Sequence, residues 1–263
     1  MACGGAWPRS AAPDAGTPVP VGSRLAAILE RGELRVGTSA DLPPLTLRDE
    51  DGEVSGFEAD LVRALAAAMG LELSFVVRPF AELLGTLEAG EVDLVVAGMT
   101  MTPERNARVA FAGPTFVSGA SLVSSDEALT EPASLDDLDD PERTYAALAG
   151  STSAAFVRES LPRASLVETK DYAAATTLVL AGEVDAMVAD FLACKLASWQ
   201  HGDAGLRVLH TPLTTEPLGI ALPPDDPLLL NLVQNYLNTL DATGELTALK
   251  ARWLSRGGWL QEE

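Results

Sequence analysis

Leu87-Glu88-Ala89-Gly90-Glu91-Val92-Asp93-Leu94-Val95-Val96 returns later in the chain as Leu180-Ala181-Gly182-Glu183-Val184-Asp185-Ala186-Met187-Val188. Each copy reads as the end of a helix, a glycine stop, an acidic turn and a buried strand. Gly90 and Gly182 suit the left-handed position that follows a helix C-terminus, where a Cβ would clash. The echo predicts one such unit in each of two lobes, although a common α/β turn occurring twice by chance would give the same pattern.

Outward from the echo, short β-rich runs alternate with helical patterns. An amphipathic helix is predicted over residues 25–30, and strands over 33–38, 73–77, 92–98, 144–148, 184–189 and 218–222. This alternation is the α/β signature. The dense apolar character of the runs suits strands covered on both faces.

The 263 residues are 47% hydrophobic and 21% charged, enough apolar material for one large core or two modest ones. Acidic residues number 38 against 18 basic ones, a formal net charge of −20. Such a field repels phosphate backbones and anionic headgroups, so a nucleic-acid partner is not expected. The acids are spread along the chain, as on a solvated surface that keeps a protein monomeric. No run approaches the roughly 20 apolar residues that span a bilayer. With two cysteines, two histidines and neither His-Glu-x-x-His nor Cys-x-x-Cys, no metal site, disulfide framework or cofactor is predicted. Cys194 lies in an apolar stretch and reads as a buried structural thiol.

Residues 1–23 contain four prolines and several alanines, glycines and serines without periodicity, which reads as a flexible tether. No basic segment followed by an apolar one marks an export signal, so a signal would have been trimmed or would lie upstream. Met1-Ala2-Cys3-Gly4-Gly5 resembles the end of a bacterial lipoprotein signal. Lipidation of Cys3 is one reading, and a chance cysteine near a terminus is the other. A lipid there would be the only membrane attachment.

Open α/β sheets bind ligands beyond the carboxyl ends of their strands, and reading on from the echoed strands gives the candidate site. The first runs into Gly98-Met99-Thr100-Met101-Thr102-Pro103-Glu104-Arg105. Thr102 fits a helix cap, with Pro103 at the first helical position. Arg105 is then a cation in a first turn, which opposes the helix dipole unless an anion lies nearby. Its planar fork matches a carboxylate, and the Thr100 hydroxyl with nearby backbone N–H groups could complete the cradle. A surface arginine paired with Glu104 is the plain alternative. The second strand ends at Asp190, which could hold a ligand ammonium or simply cap the helix from Phe191. Gly150-Ser151-Thr152-Ser153 precedes a helix predicted over 154–161, where small hydroxyl residues cap the helix and can also bind anions. One anion clamp in each lobe and a single acid across the gap describe a receptor for a zwitterion.

These residues, in this order, resemble the polar and cationic amino acid class of periplasmic solute-binding proteins, the receptors of ABC importers. The resemblance spans roughly residues 25–259. It includes Leu34-Arg35-Val36-Gly37-Thr38, Pro43-Pro44 and Gly56-Phe57-Glu58-Ala59-Asp60-Leu61, and is most specific over residues 97–105. It implies the type II periplasmic-binding-protein fold: two lobes of mixed sheet flanked by helices, joined by two crossover hinge segments. Lobe 1 would comprise residues 24–117 and 214–263, and lobe 2 residues 118–213. The positions of Gly98, Thr100 and Arg105 would hold the ligand's α-amino and α-carboxylate groups. Thr152 would add a carboxylate donor, with Ser151 beside it, and Asp190 would pair with the α-amino group. Where the family often stacks an aromatic on the ligand this chain has Leu42 and Leu45, which leaves Phe80 as the aromatic wall. Ser39, Asp41 and Glu82 could add polarity.

The function so implied is an extracytoplasmic receptor, periplasmic or at the cell surface. It would bind a small zwitterionic amino acid and hand it to an ABC transporter permease, without catalytic residues. The family also resembles cyclohexadienyl dehydratases, which act on prephenate or arogenate. They are expected to carry a glutamate proton donor near Ala193, where this chain has Phe191-Leu192-Ala193-Cys194. An orphan or sensory binding module is the remaining alternative, although no transmembrane or signalling segment follows Trp259.

Overall fold

The computed structural model describes residues 23–254. Cys3, and the predicted tether up to residue 22, lie outside the described residues. Ser23 is described, and its hydroxyl caps the first helix by accepting from the Ala26 N–H at 3.1 Å.

The first part of the chain runs α1 (Arg24–Arg31), β1 (Glu33–Thr38), β2 (Asp41–Leu42), β3 (Thr46–Arg48), β4 (Val54–Ser55), α2 (Phe57–Met69), β5 (Glu72–Val77), α3 (Leu83–Glu88), β6 (Leu94–Val95), α4 (Pro103–Asn106) and β7 (Ala110–Ser118). The middle part runs β8 (Ala120–Ser124), α5 (Glu127–Thr130), β9 (Thr144–Leu148), α6 (Thr152–Ser160), β10 (Ser165–Thr169), α7 (Tyr172–Leu180), β11 (Ala186–Asp190), α8 (Phe191–Gln200) and β12 (Arg207–Val208). The chain then returns through β13 (Glu216–Leu222) to α9 (Pro227–Ala242) and α10 (Glu245–Leu254).

Two five-stranded mixed sheets result, in the orders β5-β1-β6-β13-β7 and β10-β9-β11-β8-β12, with a small sheet β2-β3-β4 beside the first. In each large sheet three neighbouring strands are parallel and the last two are added antiparallel. Helix α2 shows why such elements pack. Phe57, Leu61, Val62 and Leu65 fall on one face and are buried in a cluster with Leu34 and Val36 of β1. That stripe spacing is the helical one, and each such side chain contributes about 1.5–3 kcal/mol by leaving water. In the other sheet Leu122, Tyr145 and Val188 pack with Val157 and Leu161.

The echoed segments form the same unit twice. Gly90 and Gly182 have φ of +73° and +69°. The N–H groups of Gly90 and Glu91 donate to Leu87 and Thr86, and those of Gly182 and Glu183 donate to Val179 and Leu178. Asp93 then accepts from the Arg35 N–H at 2.8 Å, and Asp185 from the Thr144 N–H at 2.7 Å, each clasping the neighbouring parallel strand, at its third residue in β1 and its first in β9.

The strands predicted over 33–38 and 144–148 occur at those residues. The strand predicted over 92–98 is only Leu94–Val95, because the chain leaves the sheet to reach a positive φ of +58° at Gly98. Strands β2, β3, β4, β7, β8, β10 and β12 are not among those predicted. Pro114 inside β7 reads as a strand breaker, and its neighbours show how it is tolerated: β7 is an edge strand paired only with β13.

The two crossovers touch. Gly119 joins β7 to β8, and a Cβ there would lie 2.1 Å from the Thr214 carbonyl oxygen, so only glycine fits. Ala120 N–H donates to the Thr214 hydroxyl at 2.8 Å and Leu213 N–H to the Ala120 carbonyl at 2.7 Å, while Glu216 pairs with Ser118.

Candidate functional site

The loop after β6 is hung on β13. Met101 N–H donates to the Pro217 carbonyl at 2.8 Å, Gly219 N–H donates to Met99 at 3.0 Å, and Thr100 bridges to Leu218. Gly98 is favoured by its φ of +58°, and a Cβ there would also push on the end of the Leu42 side chain, 2.6 Å away. Leu42 and Leu45 are themselves buried in the core, with Leu42 lying against Gly98. The Gly98 N–H donates at 2.9 Å to Glu58, at the start of α2. Burial raises the Glu58 carboxyl to about 7, against the lowering effect of that bond, and the Asp190 charge adds to the rise.

Thr102 caps α4, accepting from the Arg105 N–H at 3.3 Å, and Pro103 takes the first helical position. The helix has four residues, so Arg105 lies in its last turn as much as its first. The dipole argument made from the sequence therefore does not account for this cation. Direct contacts do: its guanidinium donates to the Thr100 carbonyl at 2.8 Å and to the Gly150 carbonyl at 3.1 Å, and stacks 5.5 Å from the centre of the Phe80 ring. Arg105 thus reaches from the loop of one sheet to the loop of the other. Burial lowers its pKa, opposed chiefly by the nearby Glu216 carboxylate. Arg108 lies beyond the helix and forks onto Glu88 in two exposed bonds of 2.8 Å.

From the other lobe, Ser151 caps α6 by accepting from the Ala154 N–H at 3.1 Å. Thr152 places its hydroxyl 3.3 Å from that of Thr100. Asp190 caps α8, accepting from the Leu192 N–H at 2.8 Å, and also accepts from Ser118. Its carboxyl is pushed up to about 6 by burial, with the charge of Glu216 adding to the rise. Ser39 hydrogen-bonds Asp41, whose carboxyl is raised mainly by burial and further by Asp171 of the opposite lobe. One oxygen of Asp41 is buried without a hydrogen-bond partner.

Two cleft residues have no role in the reading of the sequence. Glu216, at the start of β13, accepts from the Thr100 and Thr152 hydroxyls, both at 2.6 Å, and from the Thr214 hydroxyl at 2.8 Å. Tyr172, at the start of α7, packs on the cluster that contains Phe80 and Leu148. Burial holds its phenol well above the ordinary range, and the Asp190 and Asp41 charges act in the same direction. No local signal marks either residue; Glu216 lies just past the predicted return to lobe 1 at residue 214, and Tyr172 looks like any aromatic in a helix.

Among the described residues no group of three or more His, Cys, Asp or Glu side chains is placed to hold a metal ion, and no helix is long and apolar enough to cross a membrane. Cys194 is fully buried, and burial pushes its thiol pKa up, which makes it unreactive. What the cleft offers is a guanidinium with two hydroxyls at one side, an acid at the other, and walls from Phe80 and Tyr172.

Residues 34–256 match the bacterial extracellular solute-binding proteins, family 3. A cyclohexadienyl dehydratase from Pseudomonas aeruginosa is 28% identical over 234 residues, 88% of this chain and 86% of that one. An ABC transporter arginine-binding protein from Escherichia coli is 26% identical over 227 residues, 84% of this chain and 90% of that one. Among solved structures, an ancestral amino acid-binding protein described as a precursor of cyclohexadienyl dehydratase superposes with a TM-score of 0.79 at 34% identity, covering 88% of this chain and 99% of that one.

Proposed function

The chain belongs to the bacterial extracellular solute-binding proteins of family 3, and from that premise we propose that it is a monomeric receptor that closes two lobes on one amino acid and delivers it to an ABC transporter permease. The observation that carries this reading is Arg105, held between Thr100 of one lobe and Gly150 of the other. A carboxylate would take the guanidinium and the two threonine hydroxyls, and an ammonium would take Asp190. Gly98, Ser151 and Ser39 support this set from behind: Gly98 by its turn, Ser151 by capping α6, Ser39 by bonding Asp41. Leu42 serves as packing under Gly98. The lobes divide at 117/118 and 213/214. Because the ligand touches both lobes, it favours the closed form by its differential contacts.

Asp41 and Asp190 outnumber Arg105 in the cleft, so amino acids with a cationic side chain are favoured over acidic ones. A thermal-shift screen of amino acids, opines and polyamines tests the reading, because binding to the native state alone raises apparent stability. Arginine and lysine should stabilise most and glutamate least. Hits confined to sugars or metal ions would sink it. Attachment through a lipid on Cys3, at the periplasmic or outer cell surface, is part of the same proposal; mass spectrometry of the membrane fraction would detect the added acyl mass.

One observation favours a second reading. Glu58, beneath the loop after β6 and with its carboxyl raised to about 7, and Asp190, raised to about 6, are acids tuned towards proton donation. The chain's similarity to a dehydratase gives that chemistry a substrate class. Ala193 is buried and occupies the place where the resemblance puts a donor, so binding without turnover remains the proposal. Steady product formation from prephenate or arogenate by the purified chain would reverse it.

A further inference from the structure

Glu216 occupies the hydroxyl pair that a ligand carboxylate needs. One of its oxygens accepts from Thr100, on the loop after β6, and from Thr152, at the start of α6, each at 2.6 Å. The other oxygen is held at 2.8 Å by Thr214, in the return crossover. A single side chain on the hinge strand therefore ties the two lobes to each other and to the crossover. Its charge acts on Arg105 as the largest favourable electrostatic influence on that guanidinium, and it also raises Asp190.

We propose that Glu216 is an internal latch: its carboxylate stands in for that of the ligand, holds the lobes together through Thr100 and Thr152, and must be displaced when a carboxylate-bearing ligand binds. Two carboxylates cannot share one pair of hydroxyl donors without losing bonds and repelling each other. Glu216 consequently weakens the receptor for amino acids and discriminates against them relative to amines that lack a carboxylate, making it a specificity-determining residue. The inference rests on the assignment of Thr100 and Thr152 to the ligand carboxylate, but the latch itself can be read without any ligand.

The first arm of the test is solution scattering of the ligand-free full chain beside its Glu216→Ala and Glu216→Gln variants, with circular dichroism confirming that each folds. The latch predicts a larger radius of gyration for both variants; no change in either overturns it. The second arm measures arginine and lysine binding by calorimetry, with agmatine and cadaverine as the matched amines without a carboxylate. Both variants should bind arginine and lysine about tenfold more tightly, the equivalent of one or two released hydrogen bonds, and the amines no more tightly than the parent does. Weaker or unchanged amino acid binding in the variants overturns the proposal. If no amino acid binds parent or variants while the variants still expand, the latch stands and the amino acid reading is what fails.

Discussion

The echoed units of the two lobes share their frame and differ in what they carry. In both, a helix ends on a left-handed glycine, the chain turns, and an aspartate clasps the adjoining parallel strand by a backbone N–H, at 2.8 Å for Asp93 and 2.7 Å for Asp185. Past the strands the likeness ends. The first runs into a loop hung on β13 that presents Thr100 and Arg105, and the second stops at Asp190, which caps a helix. A repeated frame thus delivers a cation from one side of the cleft and an acid from the other. The sign of the first clamp is set ten residues past β6, at Arg105, and that of the second at the last residue of β11, Asp190, while the repeated residues before them set only position.

The largest test removes the first clamp. Arg105→Ala should cost about 2 to 5 kcal/mol of amino acid binding, roughly 30-fold to several thousand-fold in affinity, by leaving the ligand carboxylate without its buried counter-charge. Calorimetry against the best ligand of the screen measures it. Lysine should rescue only in part, since an ammonium lacks the planar fork, and Arg108→Ala should bind as the parent does. Parent-like binding by Arg105→Ala would dissolve the contrast between the two strand ends.

Glu58 sharpens the contrast from beneath the first loop. Its carboxyl is raised from 4.5 to about 7 in the folded chain, so between those values the folded state keeps a proton that the unfolded state has released. Stability from this group is therefore greatest at low pH and declines as pH rises towards about 7. The full difference is about 3 kcal/mol at roughly 1.4 kcal/mol per pKa unit. Denaturant melts across that range should show Glu58→Gln flattening this slope and standing above the parent at pH 8. An identical slope in the variant would mean that the burial of Glu58 is relieved in solution.

The second clamp should be smaller and pH-dependent. Asp190→Asn should cost about 2 kcal/mol of binding, the worth of a charged hydrogen bond. Because the carboxyl titrates near 6 in the free protein, its charge is lost as pH falls through that value. Affinity of the parent should then weaken by up to about tenfold per pH unit below 6, and the Asn variant should not show this dependence. A parent titration flat from pH 5 to 8 would remove Asp190 from the ammonium site.

The smallest effects concern the frame itself. Asp93 is nearly buried and also pairs with Arg31 and Arg35, whereas Asp185 is about a third exposed and pairs with Arg143. Asp93→Asn should destabilise by about 2 kcal/mol and Asp185→Asn by about 1 kcal/mol in thermal or denaturant unfolding. Ligand affinity should hardly move in either variant. A change in affinity as large as that of Arg105→Ala would show that the frame and the clamps are not separable.

Much of this frame was legible because its cues are local. The strands at 33–38 and 144–148, and the glycines at 90 and 182, follow from apolar runs and helix stops contained within a few residues. The Thr102-Pro103 start was equally readable, and Thr100, Thr152 and Arg105, singled out from the sequence, do lie together. The length of helix α4 was not, and with it went the dipole explanation for Arg105. Strand β10 escaped because its residues are mostly exposed at a sheet edge and show little apolar patterning. Glu216 escaped for a different reason: its partners lie 64 and 116 residues away, and Glu216-Pro217-Leu218-Gly219 by itself only announces a strand.

The contact between the crossovers has a mechanical consequence. With Gly119 pressed on the backbone at Thr214, the two connecting segments cannot bend independently; they form one axle, and turning one turns the other. The capture of a solute and its release to a transporter then use the same rotation in opposite senses. A bulkier residue at 119 would have to push that axle apart, shifting the backbone at Thr214 on which the jaws turn.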